Sequence, residues 1–287
     1  MPPSVWKRRL VTLGGAFLLL CPLLASSVLA GPPHQDIDRR VERILATMST
    51  AQKVAQLFMV SVWGETLNLE AQDFLSTYNP GGVILFGYNI RAPDQVTRLV
   101  NDIQAASLAH PNGLPAWIAI DQEGGLVARL SEASGFTTFP VSMALTATGD
   151  PAYARAVGQA IAEELRAVGI TMNLAPVADV ETNPYNPVIA RRAFGADPRQ
   201  VAAMVSAMVE GLQAGGVMAT AKHFPGPGDT TGDSHVELPT ALLDRARLNA
   251  VELVPFRQAI SAQVGAIMAA HVWFPALDPT PETPASL

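Results

Sequence analysis

Apolar residues along this chain fall into two alternating patterns. Uninterrupted apolar runs occur at about 57–63, 82–86 (GVILF), 116–120 (AWIAI), 171–178 (TMNLAPVA), 216–221 (GVMATA) and 265–270 (GAIMAA). Runs of that length predict strands buried on both faces. Between most of them the apolar residues take helical spacing. DIDRRVERILATMSTAQKVAQLFMV predicts a helix with Val41, Ile44, Leu45 and Met48 on one face, a break at Ser49-Thr50, and a second short helix. DPAYARAVGQAIAEELRAVG and DPRQVAAMVSAMVEGLQAGG each open on Asp-Pro and close on glycine, the usual start and stop of a helix.

Strand and helix in regular alternation mean a parallel sheet with helices outside it. The polar residues gather behind the carboxyl ends of the strands: FGYNI, DQEGGLVARL, DVETNPYNPVIARRAFG, KHFPGPGDTTGDSH and HVWFPALD. A doubly wound sheet would place its ligand at one switch point, usually with a glycine-rich phosphate turn. Here successive strands all contribute, which favours an α/β fold of the (β/α)₈ TIM-barrel type, with its site at that rim. Six strands are predicted where a closed barrel has eight, so the expectation is a barrel cut off at its C-terminal side. No linker or second compositional block interrupts it.

The first thirty residues differ from the rest. Lys7, Arg8 and Arg9 precede an apolar run from Leu10 to about Leu24, and Val28 and Ala30 stand like the −3 and −1 positions of a cleavage site. This predicts a secretory signal peptide over 1–30 and a secreted or periplasmic location. The run is shorter than the roughly 20 residues of a membrane span, so no membrane association is expected after cleavage. Removing residues 1–30 takes away three positive charges and no negative ones, moving the net charge from −6 to −9. Such a chain does not attract nucleic acid or an anionic membrane. Its single cysteine, Cys21, lies in the signal, and Leu20 before it is a poor lipid-attachment residue. Residues 31–287 therefore have no disulfide, thiolate nucleophile or cysteine metal site.

The densest chemistry is in AKHFPGPGDTTGDSHVELP, residues 221–239. Proline and glycine predict a loop, and titratable groups in a loop predict a site. It lacks the Gly-Lys-Ser/Thr ending of a phosphate loop. His223, Asp229, Asp233 and His235 are acceptable metal ligands, but no familiar ligand spacing joins them. An acid–base reading fits better. Asp233 and His235 are two apart, so in an extended segment both leave the same side. Asp233 then fixes the imidazole tautomer, leaving the other nitrogen for a substrate proton. Ser234 points the opposite way, and no Gly-x-Ser-x-Gly elbow occurs. Asp121, Arg129, Arg192, Lys222 and His223 are hydroxyl-binding types on three separate strand ends, which suggests a sugar. Each also has a plain structural reading, Arg129 pairing with Glu123, and Arg192 with Asp179 or Asp197.

IDQEGGLVARL, NPYNPVIARRAFGADP, KHFPGPGDTTGDSHVELP and IMAAHVWFPALD resemble, in order, the motifs of glycoside hydrolase family 3. The resemblance is to its bacterial β-N-acetylglucosaminidase branch and runs from about Asp36 to Leu287. It implies a catalytic barrel over 31–287, with His235 as general acid/base on a mobile loop and Asp233 as its partner. It further implies that Asp121, Arg129, Arg192, Lys222 and His223 hold the N-acetylglucosamine hydroxyls, and that no metal or other cofactor is used. The implied reaction is retaining, through a carboxylate nucleophile and a covalent glycosyl intermediate. Family members usually carry histidine where Pro227 stands, and often arginine where Leu126 stands. The nucleophile motif lies downstream of PASL in the family, so this stretch is expected to lack it and to be inactive by itself. The expected function is hydrolysis of terminal β-linked N-acetylglucosamine in an N-acetylglucosamine-containing glycan, such as a peptidoglycan fragment. Two alternatives remain open: a carbohydrate-binding remnant without turnover, and a glycoside phosphorylase.

Overall fold

The computed structural model describes residues 33–233 and 235–287. The signal-peptide reading of residues 1–30 and the direction of Ser234 lie outside the described residues. The chain divides into a short unit ending at Ala46 and a large one, Thr47–Leu287. The first contributes helix α1 (Pro33–Thr47), with Val41, Ile44 and Leu45 at the three-to-four spacing of one helical face.

In the large unit, α2 (Thr50–Ala55) begins where the break is expected, because Ser49 and Gln52 form a reciprocal capping box. Gln52 N donates to Ser49 Oγ, and Ser49 N to Gln52 Oε1. The alternation then runs β1 (Met59–Ser61), α3 (Leu69–Tyr78), β2 (Gly82–Leu85), α4 (Pro93–Leu108) and β3 (Trp117–Ile120). A hairpin follows, β4 (Gln122–Gly124) and β5 (Val127–Ala128), and then α5 (Ser142–Thr146), α6 (Pro151–Ala167) and β6 (Met172–Asn173). The remainder is α7 (Pro198–Ala214), β7 (Met218–Phe224), α8 (Arg245–Ala250), α9 (Leu253–Ser261) and β8 (Ala266–Ala269). Asp150 and Asp197 cap α6 and α7 with their carboxylates, ahead of Pro151 and Pro198.

Among the described residues the main sheet has six strands in the order β1-β2-β3-β6-β7-β8. All five pairings are parallel. Each strand lies beside the preceding sheet strand in the sequence, and the order never reverses. That is the winding of a TIM-type barrel and not of a doubly wound sheet. All six predicted strands are present, with three differences. β6 is cut to two residues, where the register to β7 shifts by one between the Asn173–Ala219 pair and the Val177–Lys222 bridge. β7 runs past its expected end at 221 and takes Lys222 and His223 into the strand. DQEGGLVARL is not a plain loop: Gly124 and Gly125, both with positive φ, turn β4 back on β5.

The core lies between sheet and helices, with Val83, Leu85, Ile118 and Ile120 packed with Leu99, Ile103, Ile161, Leu165, Val205 and Leu212. α6 and α7 approach closely at two glycines. A Cβ on Gly211 would collide with the carbonyl oxygen of Arg155, and one on Gly158 would lie 2.8 Å from that of Met208. Gly211→Ala is therefore expected to cost about 1–3 kcal/mol by forcing the helices apart. A thermal-unfolding midpoint equal to that of the parent protein would contradict this contact.

Candidate active site

The carboxyl ends of the strands bring the predicted polar residues together. Asp121 follows β3, Glu123 lies in β4, Arg129 follows β5, and Arg192 ends a 3₁₀ turn (Ala190–Arg192) before α7. Lys222 and His223 come from β7, whose register shifts between Lys222 and Phe224. Three residues of β7 there face two of β8, a bulge that re-aims side chains.

Lys222 is the hub. Its side chain is 3% exposed, and Nζ lies 2.7 Å from Asp121 Oδ1 and 2.6 Å from Glu123 Oε1. Glu123 also receives the Arg192 fork, Nε to Oε2 at 2.9 Å and Nη2 to Oε1 at 2.8 Å. The third Arg192 nitrogen donates to the Val188 carbonyl at 3.1 Å. Burial opposes ionisation of Glu123, but the Arg192 hydrogen bonds and the charges of Lys222 and Arg192 outweigh it and hold its pKa below the ordinary value. Burial likewise opposes the charge on Arg192, and Glu123 overcomes it, raising the guanidinium's pKa. Arg129 makes one longer contact, Nη2 to Asp121 Oδ2 at 3.4 Å, and is the least committed of these cations.

The pairings differ from the plain ones considered from sequence. Arg129 meets Asp121 and not Glu123, while Arg192 takes Glu123 and not Asp179 or Asp197. Asp197 is occupied as the cap of α7, accepting from Arg199 N and Gln200 N. Asp179, fully buried, accepts from His223, with Nδ1 at 2.7 Å from Oδ2 and the backbone N at 3.2 Å from Oδ1.

The loop after β7 has a pinned stem and an exposed tip. Asn186 Nδ2 donates to the Pro227 carbonyl, Asn183 Nδ2 to those of Asp229 and Thr230, and Thr182 Oγ1 to Asp229 Oδ1. A Cβ on Gly228 would collide with the Val180 carbonyl oxygen, so the stem lies directly on that backbone. At the tip, Asp233 Oδ1 accepts from the backbone N of His235 at 2.9 Å and lies 2.7 Å from His235 Nδ1. The backbone N–H first, then the imidazole, hold the Asp233 carboxyl below its usual range. The His235 side chain is 77% exposed, with Nε2 left for other partners. The side chains weighed as metal ligands are thus divided: His223 on Asp179, Asp229 on Thr182, and Asp233 on His235.

Asp121, Arg129, Arg192, Lys222, His223 and His235 line one cavity of about 410 Å³. That is within the roughly 300–1,000 Å³ of small-molecule sites. Asp233 stands behind His235, outside the lining. Asn186, Pro227 and His271 also line the cavity and were not singled out as candidates. The position of His271 in AAHVWFPALD, directly behind the sixth strand, was the available signal. Glu123 was considered only as a possible partner for Arg129.

Sequential parallel winding and a charge-laced cavity at the strand carboxyl ends define a barrel-type α/β protein with a small-molecule site at its rim. Residues 49–287 match the family model described as "Glycosyl hydrolase family 3 N terminal domain". The chain belongs to that family. It is 44% identical over 218 residues to Beta-hexosaminidase A of Pseudoalteromonas piscicida, covering 74% of this chain and 36% of that one. To Beta-hexosaminidase of Alkalilimnicola ehrlichii it is 39% identical, covering 78% of this chain and 64% of that one. The chain thus spans about one third to two thirds of these relatives' length. Among solved structures, a glycoside hydrolase family 3 beta-N-acetylglucosaminidase from Paenibacillus sp. str. FPU-7 superposes with a TM-score of 0.79 at 43% identity, over 82% of this chain and 44% of that one. NagZ from Neisseria gonorrhoeae, in complex with N-trifluoroacetyl-D-glucosamine, gives 0.70 at 34% identity, over 77% and 65%.

Proposed function

We propose that this chain is part of an exported β-N-acetylhexosaminidase that removes terminal β-linked N-acetylglucosamine from glycans such as peptidoglycan fragments. The observation that carries the reading is the Asp233–His235 pair on the rim of a cavity lined by Asp121, Arg129, Arg192, Lys222 and His223. The names of the relatives support the substrate class, and residues 1–30 support export. Arg129, Arg192, Lys222 and His223 place donors around the cavity, and Asp121 an acceptor, as a ring of hydroxyls requires.

In this reading His235 begins as an imidazolium held by Asp233. A carboxylate nucleophile attacks the anomeric carbon while the bond to the departing oxygen breaks, and Nε2 gives that oxygen its proton. Water then attacks the glycosyl ester and returns a proton to Nε2, so configuration is retained. The carboxylate lining the cavity, Asp121, is already held by Lys222 and Arg129, and Glu123 and Asp179 are likewise engaged. As the resemblance to the family implies, the nucleophile is none of these three engaged carboxylates.

Two measurements test this. Residues 31–287 expressed alone should bind N-acetylglucosamine yet leave an aryl N-acetyl-β-glucosaminide intact. Hydrolysis by this stretch would move the nucleophile to Asp121, Glu123 or Asp179, and failure to bind the sugar would remove the substrate assignment.

A further inference from the structure

We propose that Arg247, oriented by the buried Glu252, tethers Asp229 and so positions the loop that carries His235 to the cavity. This rests on the reading of His235 as the acid/base. Arg247 and Glu252 do not line the cavity, so they act through the loop as positioning residues.

Glu252 stands where an apolar side chain would cost less. It is fully buried at the junction of α8 and α9, directly before Leu253. Arg247 Nε donates to Glu252 Oε1 at 3.1 Å, and Arg247 Nη2 lies 3.0 Å from the same oxygen. Oε2 is buried with no hydrogen-bond partner among the described residues. Burial pushes the Glu252 carboxyl above its ordinary range. Its own backbone N–H and Arg247 offset only part of that, and the charge of Asp229 adds to it. A half-satisfied buried carboxylate weakens a fold, so its presence calls for a role beyond packing. Its neighbours supply one. A Cβ on Gly226 would lie 3.1 Å from Glu252 Cβ, so the first residues of the His235 loop rest on this side chain.

The tether itself is the guanidinium. Arg247 Nη2 also lies 3.9 Å from Asp229 Oδ1, which sets one nitrogen between two carboxylates. Asp229 is the only charged residue from Phe224 to Gly232, and it stands where the pinned stem gives way to the tip. Among the described residues, the hydrogen bonds of 231–238 stay within that segment: the Asp233 carbonyl accepts from Val236 N and Glu237 N, and Asp233 Oδ1 from His235 N. The chain is fixed again at Pro239, whose carbonyl accepts from Trp273 N at 2.9 Å. The tip thus hangs between two fixed points, and Asp229 is the charged handle at the first. At 3.9 Å, with both side chains more than a third exposed, the Arg247 contact is too long for a hydrogen bond. It restrains the loop without locking it.

The test is amide hydrogen exchange over 228–237, which needs no turnover. Asp229→Asn keeps the acceptor for Thr182 and removes the charge. Arg247→Met with Glu252→Gln removes the tether together with the buried charge it neutralises. Each is expected to speed exchange over 228–237 about two- to fivefold, the range of a partly exposed ion pair, while β7 and α7 keep their protection. Added salt should speed the same amides in the parent protein and leave Asp229→Asn unaffected, which a packing role would not produce. All three substitutions together should loosen the loop no further. Parent-like exchange in both variants overturns the tether, as does acceleration spread over the whole chain in step with a lower unfolding midpoint. In a form that hydrolyses substrate, both variants should lose about two- to fivefold in kcat on glycosides with basic leaving groups, at unchanged KM. An unchanged kcat with a loosened loop overturns the positioning role. If the loop loosens as expected while His235→Ala shows no dependence on the leaving group, the tether stands and the acid/base reading falls.

Discussion

Lys222→Met is expected to destabilise the protein by about 3–5 kcal/mol, the usual cost of removing one partner from a buried ion cluster. Lys222 Nζ is the shared donor between Asp121 and Glu123, and its side chain is as buried as that of Glu123. Without it the two carboxylates face one another with only the arginines between them. Against a typical domain stability of roughly 5–15 kcal/mol, the denaturant midpoint should fall visibly. Adding Glu123→Gln should restore part of the loss, because the uncompensated charge goes with it. An unchanged midpoint for Lys222→Met would mean that the cluster contributes nothing to the fold.

The same cluster sets an acid limit. Folding depresses the pKa of Glu123 from its ordinary 4.5, so the unfolded chain binds that proton more readily. The stabilisation is complete above 4.5 and is lost as pH falls through the lower folded value. In Glu123→Gln that part of the acid-side decline should vanish. A stability–pH curve of identical slope in parent and variant below pH 4.5 would contradict the assignment.

The second large effect concerns turnover. In a form of the protein that hydrolyses substrate, His235→Ala is expected to lower kcat about 10²–10⁴-fold on glycosides with strongly basic leaving groups, the range of general acid catalysis. Activated aryl glycosides, whose oxygen departs without a proton, should lose far less in the glycosylation step. Asp233→Asn should follow the same pattern more weakly, since the amide oxygen still accepts from Nδ1 but carries no charge. Equal losses on both substrate types would reduce His235 to a binding or loop-shaping residue.

How far the sequence reached can be traced to the range of the forces involved. The helix starts at Ser49, Asp150 and Asp197 were legible because a cap and its helix lie within a few residues. The six strands were legible as uninterrupted apolar runs, although burial on both faces holds only for the inner ones: β1 and β8, at the sheet edges, stay partly exposed. Asp233 and His235 were legible as a pair for the same local reason: a spacing of two brings an aspartate oxygen to a ring nitrogen without help from elsewhere.

What only the tertiary structure decided is the choice among partners distant in sequence. Lys222 meets Asp121 across 101 positions, and Arg192 meets Glu123 across 69. Any of several carboxylates could have served those cations on charge alone. The bulge at His223, the hairpin turned by Gly124 and Gly125, and the hydrogen bond from Asn89 to Val62 likewise depend on which backbones the barrel winding sets side by side. By itself the sequence determined the strands, the helices, the rim at which the polar residues gather and the contact between Asp233 and His235. The packing of strand ends determined which carboxylate each cation neutralises, because ion pairs act over a few ångströms and only the folded chain supplies those distances.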